Sequence, residues 1–156
     1  MKVLIACEYS GRTRQAFRDL GHDAWFSKCV RERSAWCCER CRTYYPEGPG
    51  RAGLHCSHFH GRGKWSTRFH PDNSCALCMG CHLYFTANPA LHTQFQEYKL
   101  GPYLFQALQE AANDLTKGRQ AKREIKAITA HYKAEHSRMQ SERADGFQGR
   151  IEFTGY

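Results

Sequence analysis

The chain has 156 residues, with 23 Lys and Arg against 15 Asp and Glu, a net charge of +8 at pH 7. Mean hydropathy is −0.71, and no apolar run approaches the roughly 20 residues that a membrane-spanning helix needs. This length suits one compact domain with a modest core and room for an appendage, and the basic balance favours a polyanionic partner, nucleic acid first among them.

Residues 2–7, KVLIAC, read as a short buried strand. The stretch SGRTRQAFRDLG follows, with Ser10 placed to cap a helix whose Ala16, Phe17 and Leu20 share one face, and with Gly21 as terminator. HDAWF then returns as a second strand. The opening lacks the charged lead and small-residue cleavage site of a signal peptide, so a reducing cytoplasm is the expected compartment. The turn residues Glu8, Ser10 and Gly11 between strand and helix resemble the opening of phage DNA methyltransferase-like proteins. That resemblance ends near Ser27, and one β-α-β unit does not build a methyl-donor pocket. Residues 1–27 are therefore expected to be a β-α-β appendage and not a working methyltransferase.

Nine cysteines in a reducing compartment do not suit a disulfide framework, and their spacing points to metal. Cys38-x2-Cys41 and Cys78-x2-Cys81 stand 36 residues apart. Two such pairs close one tetrahedral zinc site without strain. Cys37 beside Cys38, and Cys75 three residues before Cys78, leave other registers open. Cys38, Cys41, Cys78 and Cys81 are the expected set, with Cys7, Cys29 and Cys56 as buried small hydrophobes. Residues 46–53, PEGPGRAG, read as a turn-rich loop.

Between Leu54 and Phe85 lie five of the nine histidines and four of the cysteines. LHCSHFH can be a strand, GRGKWSTRFHPDN a basic loop, and CALCMGCHLYF the start of a helix. Asn88-Pro89 marks the next helix start, with Leu91, Phe95 and Tyr98 on one face. Gly101-Pro102 opens another, carrying Leu104, Phe105, Leu108, Ala111, Ala112 and Leu115. A third, over 119–139, places Ala121, Ile125, Ile128, Tyr132 and Met139 inward and Arg119, Lys122, Arg123, Lys126, Lys133 and Arg138 outward. The tail adds a short strand or is loose.

The combined pattern C-x2-C … SHF … N … C-x2-C-H, with STRFHPDN, ALCMGCH and NP in between and after, resembles the HNH endonuclease superfamily. The nearest resemblance is to its zinc-stapled phage and prophage (NinG-like) branch, over about residues 26–115. The resemblance implies an α+β fold: a ββα-metal core with a four-cysteine zinc site over residues 28–118, preceded by the appendage and followed by a basic helix and tail over 119–156. It implies His58 as general base, Asn73 as the middle asparagine and His82 as a metal-binding histidine. These residue types suit the chemistry. A neutral imidazole can activate water near neutral pH, a divalent cation can stabilise the leaving oxygen, and an asparagine can brace the base strand through backbone hydrogen bonds.

Many HNH proteins carry Asp or His before the base as a second metal ligand, but here that position is Ser57. Strand alternation puts residues 55 and 57 on one side, so His55 is the expected replacement. A site of histidine and phosphate oxygens tolerates Mg²⁺, Mn²⁺, Ni²⁺ or Zn²⁺. Arg62, Lys64 and Arg68 in the loop, and Arg119, Lys122 and Lys126 on the basic helix, are placed to meet DNA phosphates, with Trp65 or Phe69 packing nearby. His60, His70 and His92 read as surface or phosphate-contacting residues. The expected partner is double-stranded or branched DNA, with no membrane association and with monomer and homodimer both open. The expected activity is a metal-dependent DNA endonuclease or nickase. The alternative is a zinc-stapled DNA-binding protein without catalysis; a redox or zinc-storage role fits the histidine spacing poorly.

Overall fold

The computed structural model describes residues 23–46 and 53–156. The fold class is α+β: among the described residues there are five α-helices and one two-stranded sheet. Helix α1 covers residues 23–33. Strand β1 (Leu54–His58) pairs antiparallel with β2 (Ser74–Cys78) in the register Leu54↔Cys78 to His58↔Ser74. A loop and a 3-10 turn (Pro71–Asn73) join the strands. Helices α2 (Met79–Ala87), α3 (Pro89–Ala112), α4 (Leu115–Arg123) and α5 (Ile125–Ala144) follow. None of these helices is long and apolar enough to cross a membrane.

Helix α1 corrects the first expectation. Residues 23–26 are helical, not a returning strand, and the helix runs unbroken through residue 27, where the appendage was expected to end. Phe26, Cys29, Val30 and Arg33 recur at helical spacing and are all buried. Phe26 lies at the centre of the core, edge-on to Tyr132 (ring centroids 5.0 Å), Phe69 and Phe153 (5.9 Å each). The expected strand and helix over residues 2–21, with Cys7, Glu8, Ser10 and Gly11, and most of the 46–53 loop, lie outside the described residues.

Three further boundaries differ from the sequence reading. Ser74–Cys78 is a strand, and the helix begins only at Met79. A five-residue apolar run fits either state, and here Ala76 is held on both its groups: its N–H donates to Glu39 Oε1 (2.9 Å) and its carbonyl accepts from Glu39 N–H (2.8 Å). The expected single helix over 119–139 is two, α4 and α5, parted at Glu124. The two helices beginning at Pro89 and Pro102 run on as one kinked element, because Gly101 adopts φ 76° and ψ 163° before Pro102. Proline excludes its predecessor from the helical region, and glycine alone takes that φ without strain.

The C-terminal tail is neither strand nor loose. It lies extended over the core, burying Ile151 and Phe153. The Tyr156 N–H donates to the Tyr132 hydroxyl (3.3 Å), which itself donates to the Phe69 carbonyl. Arg143 ties α5 back to α1 through Glu32 (Nε to Oε1 2.8 Å; Nη2 to the backbone carbonyl 2.9 Å). Beside β2, Glu39 is ringed by Lys99 (3.1 Å), Arg33 (3.2 Å) and Arg150 (3.3 Å). Burial alone would raise the Glu39 pKa, but Lys99, Arg33 and the Ala76 N–H outweigh it and hold the carboxyl at about 2. This ion cluster joins α1, the first cysteine loop, β2, α3 and the tail.

Candidate metal centres and histidine pocket

The sulfurs of Cys38, Cys41, Cys78 and Cys81 all lie within 4.8 Å of one another. The first pair sits on a tight turn in which Arg42 N–H donates to the Cys38 carbonyl and Cys38 N–H to the Thr43 carbonyl (2.9 Å each), with Arg42 at φ 64°. The second pair straddles the start of α2: Cys78 is its N-cap residue, and its sulfur accepts from Cys81 N–H (3.5 Å). Thiolates there face the positive end of the helix dipole. Arg40 adds a donor to Cys81 Sγ (3.5 Å). The Thr43 hydroxyl, 3.3 Å from Cys41 Sγ, pulls that thiol down to about 6, whereas burial pushes Cys81 up to about 12. Four thiolates this close repel one another unless a cation sits among them. The cluster can hold a structural metal ion such as zinc, in the register expected from the spacing. Cys37 and Cys75 stand outside it; Cys75 is buried opposite Ser57 in the sheet. Cys29 is a core thiol as expected, raised by burial to about 12; Cys56 is a correction, half-buried and part of the lining of the histidine pocket.

A metal ion held by this cluster would fix β2 and α2, and hence the histidines beside them. His55, His58 and His82 line one open pocket of about 580 Å³ together with Ser27, Arg31 and Arg62. The His55 and His82 rings lie with centroids 5.6 Å apart. One ion bound to a nitrogen of each, at about 2.1 Å, would set the centroids roughly 5 Å apart at a tetrahedral angle, so the pair fits a shared divalent cation. Burial and the neighbouring His55 lower the His82 pKa, which favours the neutral ring that binds metal. Ser57 is buried and takes no part in the pocket lining.

His58 is oriented by the backbone. Its Nε2 lies 3.0 Å from the Arg68 carbonyl, an acceptor, so Nε2 carries the proton and Nδ1 is left as the basic atom. Burial is the main cause that lowers its pKa, to about 4, which keeps the ring neutral. Phe26 packs against it at 5.9 Å.

Asn73 braces the far end of β1. Its Oδ1 accepts from His60 N–H (2.7 Å), while its Nδ2 donates to the His60 carbonyl (2.9 Å) and the Thr67 carbonyl (3.0 Å). The backbone adds Phe59 N–H to the Asn73 carbonyl (2.8 Å). Asn73 is fully buried and points away from chemistry; its work is to hold the loop that follows His58.

The expected phosphate contacts divide. Arg68 is a correction: it is 6% exposed, donates twice to Asp23 (3.1 and 2.7 Å) and stacks on Trp65 (4.5 Å). Its aromatic and acidic neighbours make it a structural cation. Arg62 keeps a side chain 59% exposed, 3.6 Å from Asp23. Lys64, Arg119 and Lys122 line a second groove of about 270 Å³ beside Trp65, and Lys126 is exposed further along. At Gly118 α4 packs against that loop: a Cβ there would make ordinary contact with the Ser66 nitrogen, at 3.4 Å. Of the remaining histidines, His70 is exposed, His60 is half-buried and edge-on to Phe59, and His92 is half-buried and stacked on Phe85 (4.8 Å, 12°). His92 is therefore a packing residue and not a surface one.

Sequence reasoning does not find Ser27, Arg31 and Asp23. All three sit on α1, whose first residues are strand-like in composition, and this hides their regular four-residue spacing. Comparison with protein-family models finds no match, nor do comparisons with curated proteins and with solved structures.

Proposed function

We propose that this chain is a metal-dependent HNH-type DNA endonuclease or nickase built on a ββα-metal core. The observation that carries the reading is the convergence of His55, His58 and His82 on one pocket, with the His58 ring tied through Nε2–H to a backbone carbonyl. His58 Nδ1 then faces the task of taking a proton from water, and burial keeps it neutral for that task. Asn73 holds the chain after His58 in register. A divalent ion held by His55 and His82 would supply positive charge to the leaving 3′ oxygen. Among the described residues lining the pocket there is no carboxylate, so substrate phosphate oxygens would complete the ion's shell. Mg²⁺, Mn²⁺, Ni²⁺ and Zn²⁺ are the candidates. Lys64, Arg119, Lys122 and Lys126 offer the backbone contacts that position DNA without reading its sequence. The HNH resemblance implies 5′-phosphate and 3′-hydroxyl products and a phage or prophage setting.

The same missing carboxylate favours a second reading, a zinc-stapled DNA-binding protein without catalysis. Plasmid nicking decides between them. Zinc-loaded protein is mixed with supercoiled DNA and each metal in turn, alongside His58→Ala. Metal-dependent nicking that the substitution abolishes is the expected result. Salt-sensitive binding with no cleavage under any metal overturns the nuclease reading.

A further inference from the structure

A further cavity, of about 470 Å³, shares no lining residue with the histidine pocket. Its walls come from the hairpin loop, the end of α3, α4, α5 and the tail. Phe69 and Ile128, both buried, give it an apolar floor, and the small side chains of Ala111 and Ala121 leave it open. Tyr156 lines it while 57% exposed. The tilted contact of that ring with His131 (5.7 Å, 68°) takes at most one of its faces. In the same lining, the Glu124 carboxylate accepts from Gln120 Nε2 (3.2 and 3.3 Å) and lies beside the Tyr156 hydroxyl. A carboxylate has about four lone-pair sites, so this one keeps room for further N–H donors.

The cavity backs onto the groove of Lys64, Arg119 and Lys122, since Trp65 and Ser66 line both. An apolar slot with an acceptor therefore shares a wall with a cationic groove. A nucleotide is divided in the same way, into a flat base with N–H donors on its edge and an anionic phosphate. We infer that this cavity receives one unpaired nucleobase of a single-stranded DNA segment whose phosphates follow the Lys64, Arg119 and Lys122 groove. The inference rests on the reading that the partner is DNA, and it names the form that this face engages. The base stacks on Tyr156, and its edge donates to Glu124. The volume lies within the roughly 300–1,000 Å³ of small-molecule sites. A base held in a duplex stack does not reach such a pocket, so the occupant is an unpaired strand.

Fluorescence anisotropy tests this with zinc-loaded full chain and no added catalytic metal. The probes are a labelled oligothymidylate and a strand of equal length whose sugars carry no bases, which keeps every phosphate. Wild type is expected to bind the base-bearing strand about five- to a hundredfold more tightly, the span of base–aromatic stacking. Tyr156→Ala removes the platform but keeps the backbone N–H that meets the Tyr132 hydroxyl, and Ala121→Leu fills the cavity. Each should erase most of the preference while binding of the abasic strand stays nearly unchanged; thermal unfolding checks that both variants fold. Equal affinity of wild type for the two strands overturns the inference, and so does a preference that survives both variants. Thymidine monophosphate competing as strongly as the strand also overturns it, in favour of a free-nucleotide site. Nicking is scored separately. A protein with the base preference that never nicks DNA keeps this site and loses the nuclease reading, and one that nicks without the preference loses only this inference.

Discussion

Asn73→Ala isolates the bracing of the candidate base. The side chain makes three hydrogen bonds, all to backbone, at 2.7, 2.9 and 3.0 Å. Each contributes about 1 kcal/mol net, and each buried partner left without a substitute costs about 1–3 kcal/mol. Some of that is recovered if water reaches His60, so a loss of about 3–5 kcal/mol is expected. In a chain of this size that corresponds to roughly 6–20 °C in Tm. Thermal and urea unfolding of the zinc-loaded variant measure it. Asn73→Asp makes a sharper comparison: it keeps the acceptor for His60 N–H but points a carboxylate at two carbonyls, so it is expected to be at least as damaging. Zinc content is expected to stay intact in both, because the cysteine cluster lies at the other end of the hairpin. A loss below about 1 kcal/mol for Asn73→Ala, within the range of an ordinary surface substitution, would refute the claim that this residue fixes the loop after His58.

Elemental analysis is expected to find one tightly held zinc per chain. Cys78→Ser should remove it and unfold the hairpin by circular dichroism, since structural zinc contributes on the order of 10 kcal/mol, whereas Cys75→Ser should retain it. Acid unfolding should report Glu39. Its folded pKa of about 2 lies below the usual 4.5, so its contribution is present above about pH 5 and lost as pH falls toward 2. The shift corresponds to roughly 3 kcal/mol, less what burial takes from Lys99, whose pKa is lowered. Glu39→Gln should destabilise the fold by leaving buried cations and flatten that acid slope; an unchanged slope contradicts the cluster. His58, lowered to about 4, should stay a competent base well below pH 6, so nicking activity is expected to decline only as pH falls toward about 4. A midpoint near about 6.5 in the rate profile would contradict its buried setting. Phe153→Ala should cost about 3–5 kcal/mol in denaturant unfolding, as buried aromatics do; a cost near zero would mean the tail does not belong to the core.

The sequence by itself carried the features whose physics is local. Two C-x2-C pairs named the four sulfurs that gather within 4.8 Å, because spacing alone decides whether two thiolates can turn around one ion. Asn88-Pro89 and Gly101-Pro102 marked backbone breaks, because proline and glycine act on their own and neighbouring φ and ψ. Strand alternation, which put His55 and Ser57 on one side, was a poorer guide: His55, Cys56 and His58 line the pocket, and Ser57 is buried outside its lining. Tertiary structure decided the rest. HDAWF and SCALC are short apolar runs whose period is ambiguous, and only their neighbours assign them: Phe26 fills a helical slot among Phe69, Tyr132 and Phe153, and Ala76 meets the Glu39 backbone and carboxylate. Arg68 looks like a phosphate contact in the sequence because charge reads the same exposed or buried, yet Asp23, 45 residues away, accepts from its Nε and Nη2. Arg31 escapes notice for the converse reason. A sequence shows an arginine, but only packing shows that it shares a cavity with three histidines far along the chain.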